Sequence, residues 1–178
     1  MLTVDSADIV ELAAKFDATA SEFSKAFSVA LRKTAKWMKS KAVKDLSPLL
    51  NIKQSVLRRR VKPLRVRKSK DGSNIAVFFG LNPVPWTSLG AKQTKSGVVA
   101  QGGRSRRGAF LARGRGAALG KKRVFERKGK GRLPILQVRE NINDKSVSYI
   151  SGSLVSDDEI REAFIKYLES EIKWQTRG

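Results

Sequence analysis

The chain has 178 residues, 40% apolar and 30% charged, a formal net charge of +21, and neither cysteine nor histidine. That length fits one domain with a modest core, and the missing residue types exclude disulfides, zinc sites and histidine-based acid–base catalysis. No apolar run reaches the about 18 residues of a transmembrane helix, and Met1–Phe16 lacks a basic region before an apolar run, so no signal peptide is expected.

Ser6 is placed to cap a first helix that runs to about Phe16, with Ile9, Leu12, Ala13 and Phe16 on one face. A break is expected at Asp17–Thr19. From Ala20, apolar residues recur at spacings of three and four: Phe23, Ala26, Phe27, Ala30, Leu31, then Met38, Ala42 and Leu46. The spacing predicts a helix roughly 40 Å long at about 1.5 Å per residue. It should end near Leu46, because Pro48 disfavours helical backbone at Ser47. So long a stripe needs cover, from the sheet or from a neighbouring subunit, and Phe27, Leu31 and Met38 are the expected seam.

Asn51 is placed to cap a short helix carrying Arg58, Arg59 and Arg60, which Pro63 ends. Leu64–Lys68 and Ile75–Phe79, joined by the turn chemistry of Lys70–Ser73, predict a hairpin. Asn82-Pro83-Val84-Pro85 argues against regular structure, so residues 82–107 are expected to be a basic, irregular and flexible arm. Trp86, lying in it, is expected to touch a neighbour.

Gly108–Leu111 and Lys121–Arg127 are β-prone runs in a basic, glycine-rich frame. Gly129-Lys130-Gly131 makes a turn, and Leu133–Leu136 returns. Pro134 has no backbone donor, so the last strand should begin there or lie at an edge. An apolar Gly-Ala-Phe strand, a glycine- and arginine-rich connection, Val-Phe-x-Arg, a Gly-Lys-Gly turn and Arg-Leu-Pro-Ile resemble the minor tail protein Z family of long-tailed bacteriophages. The resemblance is specific over Gly108–Ile135. It implies a virion structural protein, similar in fold to tail terminators, that acts as a ring, commonly of six. The implied role is to complete the head-proximal end of the tail so that it joins the head and the genome end is placed for ejection. The implied partners are further copies of the chain and the tail terminator, tail tube or head–neck proteins, with the genome end or the tape-measure protein in the lumen. The implied location is the virion neck, and the host cytoplasm during assembly.

Beyond this stretch, Val138, Ile142, Val147, Tyr149 and Ile150 among turn residues predict one or two short strands. Ser156–Glu159 reads as a capping box for a helix to about Trp174. The family also ends with a helix after its sheet. The whole reads as a single α+β domain over 1–178: a long N-terminal helix and a C-terminal helix packed on a small, mostly antiparallel sheet, with the arm protruding.

Gly114-Arg115-Gly116 completes neither a P-loop nor a dinucleotide fingerprint. No paired carboxylates or nucleophile–base pair can be picked out. The chain is therefore read as a non-enzyme that needs no cofactor or metal. The charge is the stronger signal. Residues 51–133 hold 23 Lys/Arg against two Asp/Glu, whereas 1–50 carry +2 and 134–178 carry −2. A merely soluble surface mixes both signs, so a cationic centre points to an anionic partner. The candidate contacts are Arg58, Arg59 and Arg60; Lys92, Lys95, Arg104, Arg106 and Arg107 in the arm; and Arg113, Arg115, Lys121 and Lys122 around the glycine-rich connection. Such residues grip phosphates without reading bases, or grip an acidic protein. Phe78, Phe79, Phe110 and Phe125 are expected in the core rather than stacked on bases. The rival to the tail reading is a sequence-independent nucleic-acid-binding protein, such as a ribosome- or nucleoid-associated factor.

Overall fold

The computed structural model describes residues 14–16, 19–69, 72–113, 122–154 and 158–176. Most of the helix expected over Ser6–Phe16, the hairpin turn at Lys70–Asp71 and the first residues of the expected capping box, Ser156 and Asp157, lie outside them. The fold is mixed, with a long N-terminal helix, a C-terminal helix and small antiparallel sheets. The chain expected as one domain groups into two compact units. One takes the chain up to Val43, Arg60–Phe79 and Ser148 onward; the other takes Lys44–Arg59 and Gly80–Val147.

Helix α1, Ala20–Leu50, starts at a capping box that the sequence reading took for a break. The Thr19 N–H and hydroxyl both donate to Glu22 Oε2, at 2.9 and 2.7 Å, and the Glu22 N–H donates back to Thr19 Oγ1 at 3.3 Å. The end expected near Leu46 comes four residues later, with Pro48 inside the helix. Asn51 does not cap the next helix; it closes this one. Its φ of 51° is left-handed. Asn51 N–H donates to Pro48 O at 3.1 Å and Ile52 N–H to Ser47 O at 3.0 Å, which is a Schellman closure. Burial of Leu46, Leu50 and Ile52 outweighs the bond lost at Pro48. The short helix α2, Gln54–Leu57, follows without a side-chain cap.

In the first unit, α1 packs on the C-terminal helix, and Val66 and Ile75 of the hairpin pack against the same cluster. Ala26, Ala30 and Leu31 form one buried cluster with Phe164, Leu168 and Ile172 of the helix Asp158–Gln175, which is α4 in chain order. Phe27 meets Phe164 edge-on at 5.4 Å. Lys33–Glu171 and Lys41–Glu159 ion pairs flank the contact. The expected hairpin forms, but begins earlier, at Val61. Strand β1 (Val61–Pro63) pairs with β4 (Val77–Phe79), and β2 (Arg67–Ser69) with β3 (Gly72–Asn74), all antiparallel. Between Leu64, whose N–H bonds Ala76 O, and Arg67, paired with Asn74, Arg65 and Val66 face Ile75 alone. This is a one-residue bulge that divides the ladder.

In the second unit, the stretch read as an irregular arm is built into the fold. It contains β5 (Val84–Pro85), a 3-10 turn (Trp86–Leu89), and β6 (Lys92–Gln93), β7 (Gly97–Ala100) and β8 (Arg104–Arg107), which form a three-stranded antiparallel sheet in the order β6-β7-β8. The arm reading failed because its strands are short and basic, with apolar anchors spread among them. Val84, Trp86, Leu89 and Val98 are each at most 4% exposed. Glycine marks close approach here: a Cβ on Gly97 would lie 2.1 Å from Arg106 O. A second sheet is built from β9 (Phe110–Arg113), β10 (Lys122–Arg127) and β11 (Ile135–Gln137), in the order β11-β10-β9. Its last strand starts just after Pro134 and lies at the edge, as the missing donor requires. Strand β12 (Arg139–Glu140) pairs with β5.

Of the one or two short strands expected among Val138–Ile150, β12 forms at Arg139–Glu140, and the rest is helical: α3 spans Asn143–Tyr149 and a π turn spans Ile150–Leu154. An Asx turn, Asn143 N–H to Asn141 Oδ1 at 2.9 Å, starts the coil, and Ser146 N–H closes its first turn on Ile142 O at 3.2 Å.

Candidate polyanion-binding surface

Side chains directly opposite each other on paired strands share a face, and neighbours along a strand alternate. In the β6–β8 sheet, Val98 opposes Arg106 and Ala100 opposes Arg104, while Val99 opposes Ser105, Gly97 opposes Arg107 and Lys92 opposes Val99. Val98 is fully buried and Val99 is 37% exposed. Arg104 and Arg106 therefore share the inward face with Val98, where the Arg104 side chain is 13% exposed and that of Arg106 still 46%, and Lys92 and Arg107 lie on the outward face.

The inward pair is structural. The Arg104 guanidinium donates to Leu50 O at 2.9 Å, Asn51 O at 3.0 Å and Gln101 O at 2.6 Å, and its Nε lies 3.1 Å from Glu140 Oε1. Helix α1 has no basic residue in its own last turn. Arg104 supplies that positive charge from another element, against the negative end of the helix dipole. Glu140 also accepts from Trp86 Nε1 at 3.2 Å, so the buried indole, Glu140, Arg104 and the helix end form one network. Arg106 Nε pairs with Glu126 Oε2 at 2.7 Å. Of the three candidate contacts Arg104, Arg106 and Arg107, the first two meet carboxylates of their own unit.

Lys92, Lys95 and Arg107 are exposed, as are Arg58 and Arg59, with Arg58 bonded to Gln54 Oε1 at 3.2 Å. Arg60 is half-buried in the first unit, where burial pulls its guanidinium pKa below the ordinary value. Arg113 and Lys122 are exposed and directly opposite on β9 and β10. Arg115 and Lys121 lie outside the described residues. The sequence reading missed Arg123 and Arg127. They share a face with Phe125, which opposes Phe110, and Arg127 stands over the Phe110 ring at 5.8 Å. Phe110 and Phe125 are half-buried with centroids 6.1 Å apart. Alternation in Arg-Val-Phe-Glu-Arg was the available signal, once the strand was accepted.

The expected neighbour contacts fare differently. Leu31 is buried, Phe27 packs within its own unit, and Trp86 is 4% exposed with its indole N–H bonded. All three make contacts inside the chain, and Met38 is half-buried. Conversely, Phe78, expected in the core, is 54% exposed, and Trp174 is 71% exposed at the end of α4.

No protein-family model, curated protein or solved structure matches the chain. Among the described residues, no helix is long and apolar enough to cross a membrane.

Proposed function

We propose that the chain is a virion structural protein that completes the head-proximal end of a phage tail as a ring, helping to join tail to head and to position the genome end. The Phe110–Gln137 sheet carries this reading. The described strands of the stretch that resembles the minor tail protein Z family, Phe110–Arg113, Lys122–Arg127 and Ile135–Gln137, pair in one antiparallel sheet, with Phe110 and Phe125 opposite each other. The long N-terminal helix and the closing C-terminal helix match the layout that the resemblance implies. Exposed Phe78 and Trp174 provide apolar surface for neighbouring subunits. The test is imaging of nuclease-treated protein, together with antibody labelling of virions. Rings, commonly of six, and label at the head–tail junction are expected. Single subunits with no virion label would overturn the reading.

A second reading is sequence-independent nucleic-acid binding outside a virion, favoured by the exposed Lys92, Lys95 and Arg107 around one sheet. Native mass at moderate salt separates the two. A ring without nucleic acid supports the tail protein, and a monomer that assembles only on added DNA or RNA supports the rival.

A further inference from the structure

We infer that the outer edge of β11 is a docking site for an extended, acidic segment of a partner protein, which adds to the β9–β11 sheet as a further strand. This inference does not rest on the tail reading. Strand β11 pairs only with β10 and has no strand on its other side among the described residues. The register says which groups are available. Val138 N–H bonds Val124 O at 2.9 Å and Lys128 N–H bonds Pro134 O at 3.1 Å. Alternation then turns the N–H and C=O of Leu136 toward β10, and those of Ile135 and Gln137 outward. The opposite edge of the sheet is covered, since Leu111 N–H on β9 donates to Gln93 Oε1 at 2.8 Å.

The side chains beside this open edge are unusually apolar for a surface. Leu133 is 73% exposed, Ile135 40% and Leu136 47%. A cleft of about 630 Å³ includes Leu136, Gln137 and Arg139 in its lining, with Pro83, Arg106 and Glu126 among the others. That volume lies within the range of ligand sites, about 300–1,000 Å³. An exposed apolar edge is an invitation to strand addition, and charge selects the occupant. Arg127, Lys128, Lys130, Arg132 and Arg139 are all exposed around the edge, while the nearby Glu126 is already paired with Arg106. A second copy presenting the same edge would meet five like charges. A strand alternating apolar and acidic residues would seat its apolar side chains by Leu136 and its carboxylates by the cations.

The test uses the full chain and a fluorescent Val-Glu-repeat peptide, with a Val-Lys-repeat peptide and oligothymidylate as alternative probes, all read by anisotropy at low and moderate salt. Saturable binding of the Val-Glu peptide alone is expected. Gln137→Pro removes an outward N–H without touching the β10 ladder, and should weaken peptide binding about tenfold or more. Arg139→Glu, on an exposed side chain, should also weaken it and keeps the test informative if the proline variant fails to fold. Val-Glu binding unchanged in Arg139→Glu, equal binding of the Val-Lys peptide, or no Val-Glu binding would overturn the inference. Variants that weaken oligothymidylate binding and spare the peptide would assign the edge to nucleic acid instead. A native mass that falls in Arg139→Glu or Gln137→Pro would assign it to a second copy.

Discussion

Arg104 illustrates how one side chain can look like a ligand-binding group and be a structural one. It donates to two carbonyls at the end of α1, Leu50 O and Asn51 O, and to Gln101 O in the turn before its own strand, and it pairs with Glu140. Hydrogen bonds involving a charged group contribute about 1.5–3 kcal/mol each. Arg104→Ala is therefore expected to destabilise the protein by about 2–3 kcal/mol or more in denaturant melts, whereas Arg107→Ala, on the outward face, should leave the midpoint in place. At the other end of the same helix, hydrogen bonds from the Thr19 side chain and backbone, with Lys25 nearby, hold the Glu22 carboxyl below its ordinary pKa of 4.5. A lowered carboxylate pKa adds stability that is fully present above the unfolded value and is lost as pH falls through the folded one. The first turn of α1 should therefore fray only under acid conditions below pH 4.5. A carboxyl NMR titration should show the Glu22 midpoint rising in Thr19→Ala; an unchanged midpoint would remove Thr19 as the cause.

Among the elements, the α1–α4 contact anchors the first unit. Phe164 is 1% exposed and meets Phe27 edge-on. Phe164→Ala should cost about 3–5 kcal/mol, the range for truncating a buried aromatic, measured by urea unfolding with the m-value checked for two-state behaviour. The strands obey a different rule. On β8, alternation places Arg106 and Arg107 on opposite faces, so adjacent and chemically identical residues have unrelated roles.

For the whole molecule, the net charge of +21 predicts binding to polyanions that weakens steeply with salt. Each phosphate contact contributes about −0.9 to the slope of log affinity against log salt on duplex DNA. Neutralising Lys92, Lys95 and Arg107 together should flatten that slope by about two to three units while leaving the melting point unchanged. An unaltered slope would remove the outward face of the β6–β8 sheet from the contact. Assembly is expected to be separable from this charge. If the chain assembles as the proposed ring, Met38→Asp should shift native mass from ring to single chains without loss of helical signal, and a folded variant that keeps its ring would take Met38 out of the seam.

Elements whose signals are local were legible in the amino-acid order. The three- and four-residue spacing of α1, the glycine turn before β11, the edge position dictated by Pro134 and the helix to Gln175 depend on neighbours a few residues apart. The amino-acid order also shows where the charge lies along the chain. What covers the α1 stripe emerged with long-range packing, because Phe164, Leu168 and Ile172 are more than a hundred residues away from it. The same holds for residues 82–107. Glycine and arginine read as irregular backbone until Val98 is buried and β7 is paired on both sides. Strand parity is set by register, and register by long-range pairing. The division of the arginines into those that hold Glu126 and Glu140 and those that face solvent was therefore invisible until the sheets were formed.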